Sequence, residues 1–103
     1  MDYQVVVMDA CIRLGIEFDR RSRGTLLIAR RGVELVLRDV MAAGFEVIGL
    51  EGFERLGTVI HPRLDLIYDR DRTTVSALDA LARFGDDVWV DVVLAQPNDI
   101  QRR

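Results

Sequence analysis

A chain of 103 residues with a net charge of −3 has the size of one domain, large enough to build a core without disulfides or a structural metal. Half of the residues are hydrophobic and 30% are charged, a globular balance that excludes an intrinsically disordered chain. No apolar run approaches the roughly 18–20 residues of a membrane-spanning helix, and bulk charge gives no argument for nucleic-acid or membrane affinity.

The N-terminal segment reads two ways. Val5-Val6-Val7-Met8 favours a strand by β-branching, whereas Tyr3, Val6, Val7, Ala10 and Leu14 keep helical spacing, with Asp2 as cap and Gly15 as stop. The helix is preferred, followed by a short hairpin from Ile16-Glu17-Phe18 to Thr25–Ala29 around Arg20–Gly24. Val33, Val36, Leu37, Val40 and Met41 then form the stripe of a helix ending at Ala43, with Gly44 in the left-handed position that stops it. Its start is open: Leu26 and Ala29 extend the stripe back to about Thr25, but Gly32 weakens that extension.

Phe45–Phe53 and Thr58–Asp69 read as the two strands of a β-hairpin turning at Leu56-Gly57, with Pro62 marking an edge or bulge. A second helix is expected over about 74–84. Ser76 and Asp79 have capping-box spacing, and Ala77, Leu78, Leu81 and Ala82 form its buried stripe. Val88–Leu94 is the last strand, with Val88, Val90, Val92 and Leu94 on one face and Trp89, Asp91 and Val93 on the other. The expected fold is α+β, two or three helices packed on a small, mainly antiparallel sheet containing a central hairpin. If the N-terminal segment were a strand, the order would become β-α-β-β-α-β, which is ferredoxin-like. Residues 1–95 form the expected single domain, and 96–103 a polar tail.

Candidate chemistry is sparse. Every basic residue other than His61 is an arginine, so neither a lysine Schiff base nor a phosphate-loop lysine is available. One cysteine and one histidine make too few ligands for structural zinc. Asp65, Asp69 and Asp71 have oxygens for magnesium or calcium, but Arg63, Arg70 and Arg72 interleave with them and favour a self-neutralising stretch. No metal and no cofactor is expected. Cys11 and His61 are the one possible thiol–imidazole pair, yet Cys11 lies between Ala10 and Ile12, where a thiol is an inert small hydrophobe. Ser22 and Ser76 lack a nucleophile-elbow context, and Glu51 with Glu54 reads as a solubilising hairpin pair. Cys11 has no partner for an internal disulfide and Met1–Gln4 lacks a basic signal-peptide start, so a cytoplasmic location is the default expectation.

Charge is segregated along the chain. Residues 13–31 carry six arginines against Glu17 and Asp19; residues 79–99 carry five aspartates against Arg83 alone. The two poles are expected to meet, within the monomer or across a dimer. The arginine-rich turn Arg20, Arg21 and Arg23, with Arg30 and Arg31, is the lesser alternative, a nucleic-acid contact without interleaved aromatics. The resulting expectation is a non-enzymatic protein-binding module of the regulatory, adaptor or inhibitor and immunity type. Its candidate binding residues are Arg20, Arg21, Arg23, His61 and Trp89. Its partner is another protein or a second copy, in a homodimer through the C-terminal strand or the hairpin, with no membrane involved. The alternative is a small enzyme or small-molecule-binding domain with a pocket using His61 and nearby carboxylates such as Glu51 or Asp65.

Overall fold

The computed structural model describes residues 3–21 and 24–95. Three α-helices pack on one five-stranded, wholly antiparallel sheet, so the expected α+β architecture holds. In chain order the elements are α1 (Tyr3–Leu14), β1 (Phe18–Arg20), β2 (Leu26–Ala29), α2 (Arg30–Ala42), β3 (Val47–Leu56), β4 (Val59–Asp69), α3 (Ala77–Leu81) and β5 (Trp89–Leu94), with a single 3-10 turn at Arg70–Arg72. The sheet order is β1-β2-β5-β3-β4. β5 therefore inserts between β2 and β3, which run parallel to each other and are joined by α2. By the same token β3 separates β4 from β5, which are joined by α3. From β2 to β5 the chain does run β-α-β-β-α-β, but the N-terminal segment is the helix α1 and takes no part in that run. No helix among the described residues is long and apolar enough to cross a membrane.

Local rules account for most of these elements. In α1 the helical stripe prevails over β-branching because Val7, Ala10 and Cys11 are buried against the rest of the core. Between Leu26 and Ala29 all four residues are buried, the signature of a strand covered on both faces, and the helix begins only at Arg30. Met41, assigned to its buried stripe from the sequence, is instead 41% exposed, and the buried stripe of α2 ends at Val40. Gly44 stops α2 with a φ of 93°. Gly32 is required inside α2 by a close approach: a Cβ there would lie 2.2 Å from Cγ2 of Ile16.

α3 is shorter than expected. Ser76 accepts a hydrogen bond from the Asp79 N–H at 3.1 Å, so the Ser76–Asp79 cap is present, but regular helix ends at Leu81. Ala82 is exposed, and Phe84 fills the core position instead. The Arg30 guanidinium donates to the carbonyls of Phe84 (3.0 Å) and Leu81 (3.1 Å), tying the start of α2 to the end of α3. Arg13 on α1 forks onto Asp39 of α2 at 2.7 and 3.3 Å and also reaches Asp9.

Candidate functional site

All three helices lie on one side of the sheet. The parity of β5 matches the sequence pattern: Val90, Val92 and Leu94 are buried in the helix-covered core, while Trp89, Asp91 and Val93 are half-buried on the opposite face. Strand register extends that second face. Ala29 of β2 lies opposite Trp89, and Phe53, Glu51 and Gly49 of β3 lie opposite Trp89, Asp91 and Val93. Ile67 and Asp69 of β4 oppose Glu51 and Gly49. On β1, Asp19 opposes Leu27.

This outer face has two halves. The half nearest β1 is closed. Arg55 projects from β3 over the Trp89 ring, 4.9 Å from its centroid, and its guanidinium lies 3.8 Å from the Asp19 carboxylate. Arg21 pairs with Asp19 at 3.3 Å and donates to the Thr58 carbonyl at the hairpin tip at 2.7 Å. β1 and the hairpin tip belong to opposite ends of the sheet order, so these contacts require the sheet to curl into a trough. Leu27 is fully buried beneath this clasp, although it lies apart from the helix-side core.

The other half carries Asp91 and Glu51 directly opposite each other on neighbouring central strands. Like charges in that relation repel. Burial, with the Glu51 charge as the lesser cause, pushes the Asp91 carboxyl up from 3.8 to about 6. Among the described residues neither carboxylate has an ion pair or a hydrogen bond to another group. Phe53, Trp89, Val93 and Ile67 surround the pair with apolar surface, and Ile67 is 52% exposed. Chemically, a half-buried Asp91 carboxylate beside an exposed Glu51 carboxylate, rimmed by aromatic and aliphatic side chains, is complementary to one basic group.

The residues singled out from the sequence are dispersed. Trp89 and Arg21 belong to the closed half of the trough. Arg20 is exposed beside a small groove with Gln4, Val5, Met8 and Leu26, on the other side of β1. Arg23 lies outside the described residues. His61 is exposed on β4 opposite Glu54, while Cys11 is fully buried in α1 with its thiol pushed up to about 11 by burial, so they form no pair. His61, Glu51 and Asp65 do not share a site either: Asp65 is bound by Arg63 at 3.0 Å and Glu51 faces Asp91. Asp69 and Asp71 likewise pair with Arg72 and Arg70, and no group of three metal-ligating side chains exists among the described residues.

The basic and acidic thirds adjoin, through the pairing of β2 with β5 and through Arg30, but among the described residues no ion pair joins them. Arg13, Arg21 and Arg31 pair with Asp9, Asp39, Asp19 and Glu17, and no described arginine forms an ion pair with Asp79, Asp86, Asp87 or Asp91. The ion pairs of these arginines fall in the first half of the chain, and among the described residues Asp79, Asp86, Asp87 and Asp91 have none. Arg55 and the Glu51–Asp91 pair were not recognisable as site residues from the sequence, since both depend on β5 inserting beside β3. Comparison with known proteins yields no match: no family model, curated protein or solved structure is similar to this chain.

Proposed function

We propose that the chain is a non-enzymatic protein-binding module whose partner presents a basic side chain to the open half of the outer sheet face. The observation that carries this reading is the directly opposed Asp91–Glu51 pair, in which Asp91 is half-buried, Glu51 is exposed, and neither has a cation among the described residues. Natural sheets seldom keep such a pair without compensation, because it lowers stability. An incoming guanidinium or ammonium would neutralise it, and the surrounding Phe53, Val93 and Ile67 would exclude water from the contact. The unmatched acidic residues of the last third would steer a basic partner towards this side.

The sole tryptophan, Trp89, adjoins the pair and serves as reporter. A short peptide alternating arginine and valine should change Trp89 emission on titration, and a glutamate–valine peptide should not. Asp91→Asn and Glu51→Gln should each weaken the arginine peptide by about tenfold or more, the size of one lost charged contact. Asp86→Asn removes the same net charge elsewhere and should leave the affinity near that of the parent. Equal affinities for all three variants would mean that only bulk charge is sensed, and the proposal would fail.

A further inference from the structure

A second surface lies along β4 and shares only Ile67 with the surroundings of Asp91. β4 is the last strand of the sheet, and its outer edge is free along the described chain. Glu51 pairs with Ile67 and Gly52 with Arg63, so Leu64, Asp65 and Leu66 have no residue of β3 opposite them. Leu66 turns inward into the core, and a Cβ on Gly52 would come within 2.8 Å of its Cβ. Leu64, in the same bulge, stays outside the ladder. At 78% exposure, Leu64 is the most exposed large hydrophobic side chain of the described residues. Beside it a groove of about 430 Å³ runs between β4 and the segment leading into α3, lined by Ile67, Val75 and Ala80 with Arg72 and Arg83 at its rim. Ile67 and Val75 are 52% and 45% exposed. Large apolar side chains gathered at a free edge are the feature that soluble proteins otherwise suppress.

We propose that a second copy of this chain docks against β4, antiparallel, about a two-fold axis at Leu64. The occupant is chosen by charge. Arg63 and Asp65 flank Leu64, and a two-fold at that residue lays Arg63 of each copy against Asp65 of the other, twice over. A closed dimer needs such a self-complementary patch. Within one chain Arg63 already binds Asp65, with hydrogen bonds at 3.0 and 3.1 Å. The dimer joins the two pairs into a four-charge ring around the apolar Leu64 contact. Because the bulge bends the strand, side chains carry the contact in place of a continuous backbone ladder. Pro62, which cannot donate to a neighbouring strand, limits pairing towards the hairpin tip.

Light scattering on the full chain across a concentration series tests this. The expected result is a dimer mass that dissociates on dilution. Arg63→Asp should weaken dimerisation at least tenfold by setting like charges together, and Arg63→Asp with Asp65→Arg should restore it. Leu64→Ser, at an exposed position that folding does not need, should give a monomer with an unchanged circular dichroism spectrum. A monomer mass at the highest soluble concentration overturns the proposal. So does a dimer indifferent to Arg63→Asp and Leu64→Ser, or a loss that the charge swap fails to rescue. The varied residues Arg63, Leu64 and Asp65 lie opposite neither Glu51 nor Asp91, so the dimer and the arginine-peptide contact are tested by separate variants.

Discussion

Replacing Asp91 by Asn should stabilise the protein, and only above the acid range. The carboxyl sits at about 6 in the fold against an ordinary 3.8. At 1.36 kcal/mol per pH unit, that difference disfavours the ionised fold by about 3 kcal/mol. Solvent still reaches part of the group, which reduces the expected effect to about 1–2 kcal/mol. The sign follows from proton linkage. Folded Asp91 holds its proton more tightly than the unfolded chain does, so unfolding free energy falls as pH rises from about 4 to about 6, and the loss is complete above that. Asn is nearly isosteric and never ionises. Urea unfolding followed by circular dichroism should therefore give equal stabilities for parent and variant at pH 3.5, and a variant about 1–2 kcal/mol more stable at pH 8. A gain of the same size at both pH values would show that the effect is packing and not charge. A loss at pH 8 would show that Asp91 has an internal partner, and the argument for a docked cation would go with it.

Three further outcomes follow from the packing. Arg30→Met should cost about 1.5–3 kcal/mol in urea unfolding, because two carbonyls at the end of α3 lose a charged donor. Gly32→Ala should destabilise by about 1 kcal/mol despite alanine's better helix propensity, since overpacking against Ile16 costs about 1–3 kcal/mol and propensity returns about 1, and adding Ile16→Ala should recover much of the loss. Cys11 should react with a thiol reagent only as the protein opens, so its labelling rate should rise with urea in step with unfolding, whereas fast labelling of the native state would contradict its burial.

The fold was legible wherever a local rule decided it. The Val33–Val40 stripe, Gly44, the Ser76–Asp79 cap and the alternation of β5 are each contained within a dozen residues, and each is present in the structure. Ambiguity arose where two rules competed. Val5-Val6-Val7 is β-branched within a helical stripe, and Leu26–Ala29 is too short and too uniformly apolar for its periodicity to distinguish strand from buried helix. The site was half legible. Alternation places Asp91 beside Trp89 and Val93, but its cross-strand neighbour depends on which strand pairs with β5. Glu51 was paired by sequence proximity with Glu54, whereas adjacent strands make Asp91 its true opposite. The Arg55–Trp89 stack has the same origin: nothing near Arg55 in the chain announces an aromatic partner supplied by the last strand.

The closed half of the trough indicates how this sheet treats a cation. Arg55 lies flat over an indole, and its charge is directed to the Asp19 carboxylate at the strand edge. Both parts of that arrangement recur one residue pair along. Phe53 and Val93 offer the apolar floor, and Glu51 with Asp91 offers two carboxylates where the closed half has one. What the open half lacks is a guanidinium from this chain. Three described arginines are committed elsewhere: Arg55 to Trp89 and Asp19, Arg21 to Asp19 and Thr58, and Arg70 to Glu46 and Asp71. Under the proposed function, a fold that supplies its own arginine to one half and none to the other leaves the second position for a cation from outside. That asymmetry, more than the acidity of the chain as a whole, is the physical ground for expecting a basic partner.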